Sequence, residues 1–441
     1  MKPIFLNETY FSYKKTFFFD NIIIIFVNRK DFNMKFRKYI TLGLILSFSF
    51  LLYGCTDTTN TAEPSKKEEI IIDRKNKLTI SAVGDVMIHN SQLNAQKQED
   101  NSYNFDNNFR LIKEYIENSD LSIANLETTI NTSKKISSYP SFNSPSEILD
   151  ALKNTGFDII STINNHSLDT GQSGISSTVN EIKARELEYV GTQLDENEKN
   201  YITKEINGIK IGISSFSYAD ETNSNSFLNG IPSGKSRNLL NTIDKNNVTN
   251  AFNRIKEEIT LMKNENCELI ILNIHWGEEY IQTPSWYQQE LARLLINEGV
   301  DIILGSHPHV VQPVEEITSD DGLHKGVVFY SLGNIISNQQ EEEMGFNISE
   351  NGLLPIIDLE KTNNDVKITN IQYIPTWVSR KPIDGPKKYE YTIVPLAGDL
   401  QELATKENLN IDDLITSFDN TVTVVNNPNI KVYNKEDLPS E

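Results

Sequence analysis

The chain has 441 residues, 41 of them basic and 61 acidic, for a formal charge of −20. With 38% hydrophobic and 9% aromatic residues it can bury the core of one large domain or two ordinary ones. A surface of this sign repels phosphate backbones and anionic lipid, which argues against nucleic acid as a partner and against electrostatic attachment to a membrane.

Residues 1–55 read as an address. The stretch MKFRK (34–38) is basic and opens on methionine, and residues 39–54 carry no charge. A basic segment followed by a short apolar one is a secretory signal. The ending Leu52-Tyr53-Gly54-Cys55 resembles the bacterial lipobox, which implies acylation of Cys55 and a lipid anchor; Tyr53 is bulkier than the usual residue there. An uncleaved membrane anchor is the other reading, although a spanning helix needs ~20 apolar residues. Both place the remainder on the extracellular face of the cytoplasmic membrane. Residues 1–33 precede a complete signal and read as an over-extended start, or else as a long basic region of the signal. Residues 55–77 are polar and charged, bury too little to fold alone, and read as a tether.

From Leu78 short apolar runs alternate with helical patterns. LTISAVG (78–84), DLSIAN (120–125), FDIISTI (157–163), IKIGISSFSY (209–218), ELIILNI (268–274), VDIILGS (300–306) and GVVFYSL (326–332) each predict a strand. Several are apolar on consecutive residues, as expected of strands covered on both faces. SEILDALKNTG predicts a helix capped by Ser146 and stopped at Gly156. WYQQELARLLINEG predicts another, with Tyr287, Leu291, Leu294 and Leu295 on one face and a stop at Gly299. Residues 219–247, rich in Asn, Ser and Gly, read as a long loop. Beyond about residue 344, LLPIIDLEK, VKITNIQYIPTWV and YEYTIVPLAG predict a meander and DLQELATKENLNIDDLITSF a helical tail, together a β-rich completion of the domain at 345–441. The fold class is α/β.

Of the two cysteines, Cys267 opens an apolar run and reads as a buried, inert thiol. Any metal therefore falls to oxygen and nitrogen ligands. Five of the six histidines, His89, His166, His275, His307 and His309, fall at or just past a predicted strand end, as do Asp85, Glu127, Asn165 and Asp169. In α/β proteins the loops at the carboxyl ends of strands form the ligand site. Singly, GDVM can be a turn, NLE a helix start, NNH a polar loop and HWGEE a packed tryptophan. GSHPH differs, because two histidines separated only by proline can aim at one point. Together the set predicts a metal centre. Its donors suit manganese, iron, zinc or magnesium, and are numerous enough for two ions, an arrangement that clamps both oxygens of a displacement.

The motif set GDVM, NLE, STINNHSLDTG, HWGEEY, GSHPHVVQ and YSLGNII resembles the CapA family of capsule and poly-γ-glutamate synthesis proteins, over residues 78–338. That family in turn resembles the calcineurin-like metallophosphoesterases, which implies a four-layer α-β-β-α sandwich for residues 78–344. The resemblance also implies that Asp85 is the first metal carboxylate, Glu127 the bridging acid, Asn165 an amide ligand, and His275, His307 and His309 the later histidine ligands. His166, with Asp169, takes the catalytic place. Two departures stand out: Met87 replaces a histidine two residues after the first carboxylate, and glutamate replaces the bridging aspartate. Phosphatase activity does not follow from the likeness alone. Three functions stay open: a metal-dependent envelope hydrolase acting on a phosphoester or on an amide of an acidic polymer; an accessory subunit among other capsule or poly-γ-glutamate synthase subunits, the metal bracing its shape; and a solute-binding lipoprotein, disfavoured by so many ligands in one cleft.

Overall fold

LSIANL (121–126) and LIILNIH (269–275) bury every side chain. Only a strand covered on both faces accommodates that pattern, and this requirement organises the molecule. The structure, a computed structural model, describes residues 76–363, 365–383 and 389–434, all within the unit Ile72–Glu441. The expected signal, Cys55 and nearly all of the expected tether lie outside the described residues.

The strands, in chain order, are β1 (Asn76–Val86), β2 (Leu121–Leu126), β3 (Ile159–Ser161), β4 (Glu188–Val190), β5 (Tyr201–Ile206), β6 (Ile209–Glu221), β7 (Ser226–Leu228), β8 (Ile231–Pro232) and β9 (Thr242–Asp244). They continue as β10 (Leu269–His275), β11 (Ile302–Ser306), β12 (Val314–Thr318), β13 (Lys325–Phe329), β14 (Asn334–Ile336), β15 (Asn351–Thr362), β16 (Asp365–Pro382), β17 (Tyr389–Pro395) and β18 (Lys431–Val432). They form two sheets. One runs β17-β16-β15-β1-β2-β3-β4, with β14 beside β1 and β18 beside β16; the other runs β12-β13-β11-β10-β6-β7-β8, with β5 and β9 beside β6. β1, β2, β3 and β4 are mutually parallel, and so are β6, β10, β11 and β13.

The helices that cover the sheets include α1 (Asn90–Gln96), α2 (Asp106–Phe109), α3 (Lys113–Glu117), α4 (Glu147–Thr155), α5 (Gln172–Ala184), α6 (Val248–Asn264) and α7 (Trp286–Asn297). Strand alternation sorts the side chains into layers. Ile271 of β10 packs between the sheets with Ile80, Ile123, Ile211 and Leu304. Its neighbours Ile270 and Leu272 face outward against Ile255 and Ile259 of α6 and Leu291 and Leu295 of α7. On the other side Val83 and Ala124 meet Leu93, Phe109 and Leu149 from α1, α2 and α4. The order is helices, sheet, sheet, helices, the α/β sandwich expected. Each such buried Val, Ile, Leu or Phe side chain contributes roughly 1.5–3 kcal/mol.

Several local expectations are corrected. Residues 219–247 are not one loop: they hold the end of β6, the hairpin β7–β8, a 3-10 turn (Gly234–Leu239) and β9, because Ser217 to Ala219 pair in register with Thr242 to Asp244. Asn76 and Lys77 pair with Lys361 and Glu360 and so belong to β1, not to a tether. Ser146 precedes α4 but makes no capping bond, its backbone being already helical. On α7, Gln288 is buried and Leu294 only half-buried, since Gln288 closes a capping box with Ser285 and donates to Gln312 (2.8 Å). Cys267 is half-buried rather than enclosed, and burial still raises its thiol's pKa. β15 is the antiparallel neighbour of β1, so residues 351–362 are built into the first sheet.

Candidate metal centre

Parallel register brings the ends of distant strands together. Asp85 of β1 stands level with Asn125 of β2 and Asn334 of β14, while His275 of β10 stands level with Ser306 of β11. Two glycines let the backbones close in: a Cβ at Gly84 would lie 1.9 Å from the Gly333 carbonyl oxygen, and one at Gly305 2.0 Å from that of Tyr330. His307 and His309 both adopt positive φ, +98° and +57°. Conformations of that kind cost ~1–3 kcal/mol each and persist where the surroundings impose them. Here they turn two imidazoles, separated by Pro308, toward one place.

Six expected ligands are gathered and buried there: Asp85, Glu127, Asn165, His275, His307 and His309. Asn165 Oδ1 lies 3.0 Å from His275 Nε2, which lies 3.2 Å from His307 Nδ1 and 3.7 Å from Glu127 Oε1. Ligands ~2.1 Å from a tetrahedral ion stand ~3.4 Å apart, so these spacings fit the edges of a coordination shell. His309 Nε2 lies 3.8 Å from the same Glu127 oxygen. Two of the donor sets that follow are buried throughout, Glu127–His275–His307 and Asp85–Glu127–His309, with Glu127 common to both.

Glu127 supplies the test of fit. It is fully buried and neither carboxylate oxygen has a hydrogen-bond partner. An unpartnered buried carboxylate is costly, and such groups are retained where they coordinate a metal. Burial raises its pKa well above the usual carboxylate range, and the nearby Asp85 charge adds to this. Burial likewise holds His275 and His307 well below the ordinary imidazole value, with neighbouring histidine charges reinforcing it. Neutral imidazoles are what a cation requires, and a bound cation would favour ionised Glu127. The residues fit a divalent metal.

His166 is buried beside Asn165, and its Nδ1 lies 2.8 Å from Asp169 Oδ2. The same oxygen accepts the Phe142 amide (2.6 Å), and the Phe142 ring meets the His166 ring edge-on at 4.7 Å. The structure therefore pairs the two residues expected to be catalytic. His89 stands apart. It is half-buried against Phe142 (5.2 Å), its Nδ1 accepts the Asn338 amide (3.2 Å), and it enters none of the donor sets. Met87 is buried and contributes its backbone amide to the Ile336 carbonyl (2.9 Å).

Sequence reasoning missed the residues that orient the expected ligands. Asn125 donates to Asp85 Oδ1 (2.7 Å) and to Ser306 Oγ (3.3 Å), and that hydroxyl lies 3.0 Å from His275 Nδ1. Asn334 Oδ1 lies 3.1 Å from His309 Nδ1, and the Tyr218 hydroxyl lies 2.6 Å from His307 Nε2. Partners of this kind set ring orientation and ligand basicity. Asn125, Ser306 and Asn334 lie inside the quoted motifs, which was the available signal. Tyr218 ends a predicted strand, and nothing local marked it.

Comparison with known proteins shows the family of the chain. The family described as "Bacterial capsule synthesis protein PGA_cap" matches residues 79–339. The chain is 29% identical over 329 residues to the capsule biosynthesis protein CapA of Bacillus anthracis, covering 73% of each. It is 26% identical over 324 residues to the PGA biosynthesis protein CapA of Bacillus subtilis (strain 168), covering 70% of this chain and 75% of the relative. Likeness to solved structures is distant. A calcineurin-like phosphoesterase of Bacillus subtilis aligns with TM-score 0.38 and 15% identity, over 79% of this chain and 99% of that one. A hypothetical protein of Thermus thermophilus aligns with TM-score 0.40 and 12% identity, over 68% of this chain and 98% of that one.

Proposed function

Because this chain belongs to the PGA_cap family of bacterial capsule synthesis proteins, we propose that it takes part in making or exporting a capsule or poly-γ-glutamate polymer, as a lipoprotein held through Cys55 on the outer face of the cytoplasmic membrane, with a dinuclear metal centre. The observation that carries the metal reading is Glu127, whose two unpartnered buried oxygens lie among His275, His309 and Asp85. Glu127 would bridge two divalent cations, one shared with His275, His307 and Asn165, the other with Asp85 and His309. Bound there, such a pair supplies Lewis acidity toward an oxygen of the substrate. Asn125, Ser306, Asn334 and Tyr218 hold the ligand side chains in place. Manganese, iron and zinc all suit this donor set. The partners in this reading are other synthase subunits and the acidic polymer itself.

A second reading, hydrolysis of a phosphoester or amide, is favoured by the His166–Asp169 pair. Asp169 fixes the ring through Nδ1, which leaves Nε2 as the atom that could hand a proton to a leaving group. The test is polymer output and metal content in cells carrying Asp85→Ala or His166→Gln at matched protein levels. The capsule role predicts loss of polymer with Asp85→Ala. Hydrolysis predicts loss with both, and a metal-braced scaffold predicts normal output from His166→Gln. Normal output from Asp85→Ala would overturn the metal-dependent capsule role.

A further inference from the structure

HWGEEY contributes one expected ligand to the centre, His275, and the residues behind it form a loop tied at several points. Trp276 is fully buried and its Nε1 donates to the Tyr330 carbonyl (2.9 Å). Gly277 takes φ +90°, where a Cβ would stand 2.8 Å from the Gln288 side chain. The Tyr280 amide donates to the Pro308 carbonyl (2.8 Å), tying the loop to the turn that carries His307 and His309. The Tyr280 ring packs near His309 (5.9 Å) and Phe346 (5.5 Å), and the residue holds φ +64°. Between these anchors sits Glu279, exposed, with a carboxylate oxygen and the His307 and His309 nitrogens all within 4.8 Å of one another.

The three donor sets form a ring. Glu127, His307 and His309 each belong to two sets, while Asp85, His275 and Glu279 each complete one. Asp85 and His275 are buried; Glu279 faces solvent. We infer that Glu279 is the solvent-side ligand of the centre, an exposed carboxylate beside His307 and His309 that adds a donor at the mouth to the two cation positions and does not form a third. The inference rests on the metal reading above and extends it to a residue outside the expected ligand set. A carboxylate on an exposed side chain can turn toward or away from the histidines, as buried Asp85 and His275 cannot. That makes Glu279 the group through which a cation enters, and the one that gives way to an incoming oxygen ligand.

The test is titration of the metal-free full chain with Mn2+, and with Co2+ read by visible absorption. Wild type is compared with Glu279→Gln, Glu279→Asp and, as a surface control, Glu278→Gln. Glu279→Gln is expected to weaken binding of one equivalent about tenfold, the low end for losing a group that supports a metal site, and to change the Co2+ spectrum. Glu279→Asp should recover part of both, and Glu278→Gln should match wild type. If Glu279→Gln coincides with wild type in affinity, stoichiometry and spectrum while wild type binds metal, this inference is overturned and the metal reading stands. If wild type binds neither ion, the metal reading itself falls.

Discussion

Asp169 holds His166: its Oδ2 lies 2.8 Å from His166 Nδ1 and also accepts the Phe142 amide at 2.6 Å. The carboxylate is thus pinned by backbone, and the imidazole is pinned by the carboxylate and by Phe142. A histidine fixed through Nδ1 presents Nε2 in a constant direction, as proton transfer requires.

If the centre hydrolyses a phosphoester or amide, His166→Gln should lower turnover by roughly two to four decades, the usual worth of a positioned acid. Metal content should be unchanged. Asp169→Asn should lower turnover less, by loosening the ring. Steady-state rates on phosphoesters and γ-glutamyl polymers, with metal analysis of the same samples, decide this. Unaltered turnover in His166→Gln would remove the residue from the chemistry.

Glu127 predicts opposed effects on stability and function. Leaving a buried carboxyl without a partner costs ~1–3 kcal/mol. The isosteric but neutral Glu127→Gln should therefore melt no lower than wild type in the metal-free state, while losing metal. Thermal unfolding with and without manganese checks both. A Glu127→Gln protein that is stabilised by manganese as much as wild type would deny Glu127 the bridging role.

Acid should destabilise the metal-free chain through its histidines. Burial lowers the His89 pKa to about 4 and holds His275 and His307 well below the ordinary value. Between the folded values and ~6.5 the unfolded chain binds more protons, so stability is lost as pH falls below ~6.5. Glu127, shifted upward, opposes this with the reverse slope. The contribution of His89 is isolated by His89→Gln: its melting temperature should converge with or exceed that of wild type as pH drops from 6.5 toward 4. A difference between the two that stays constant across that range would exclude the titration.

Much of this was legible in the sequence, for identifiable reasons. Strands buried on both faces write themselves as LSIANL or LIILNIH, and candidate ligands such as His275 stand at their ends. Helix α6 was not expected, although Ile255, Ile259 and Met262 face the core at helical spacing. Its apolar stripe is diluted by Arg254, Lys256 and Glu257, and the preceding residues read as loop. The hairpin β7–β8 pairs with the end of β6, a tertiary fact absent from any local window. Asn125 and Tyr218 were missed because an amide or phenol that steadies a ligand has the same local signature as one that steadies a turn. Glu279 was hidden for a related reason: beside Glu278 it reads as surface charge until the loop is folded.

Cys55 lies outside the described residues, and the anchor is tested directly. Cys55→Ala should abolish palmitate incorporation and leave an unprocessed precursor in cell fractions. Labelling that persists unchanged in the mutant would contradict the lipoprotein reading.

Elemental analysis decides whether Glu127 and the three histidines build a metal centre. The full chain, reconstituted with manganese or zinc and then freed of excess ion, should retain about two equivalents, as a bridged pair requires. The double substitution His307→Ala, His309→Ala should remove most of it with the fold intact by circular dichroism. Wild-type protein that retains neither metal, or a double mutant that retains the wild-type amount, would rule out a metal centre at these residues.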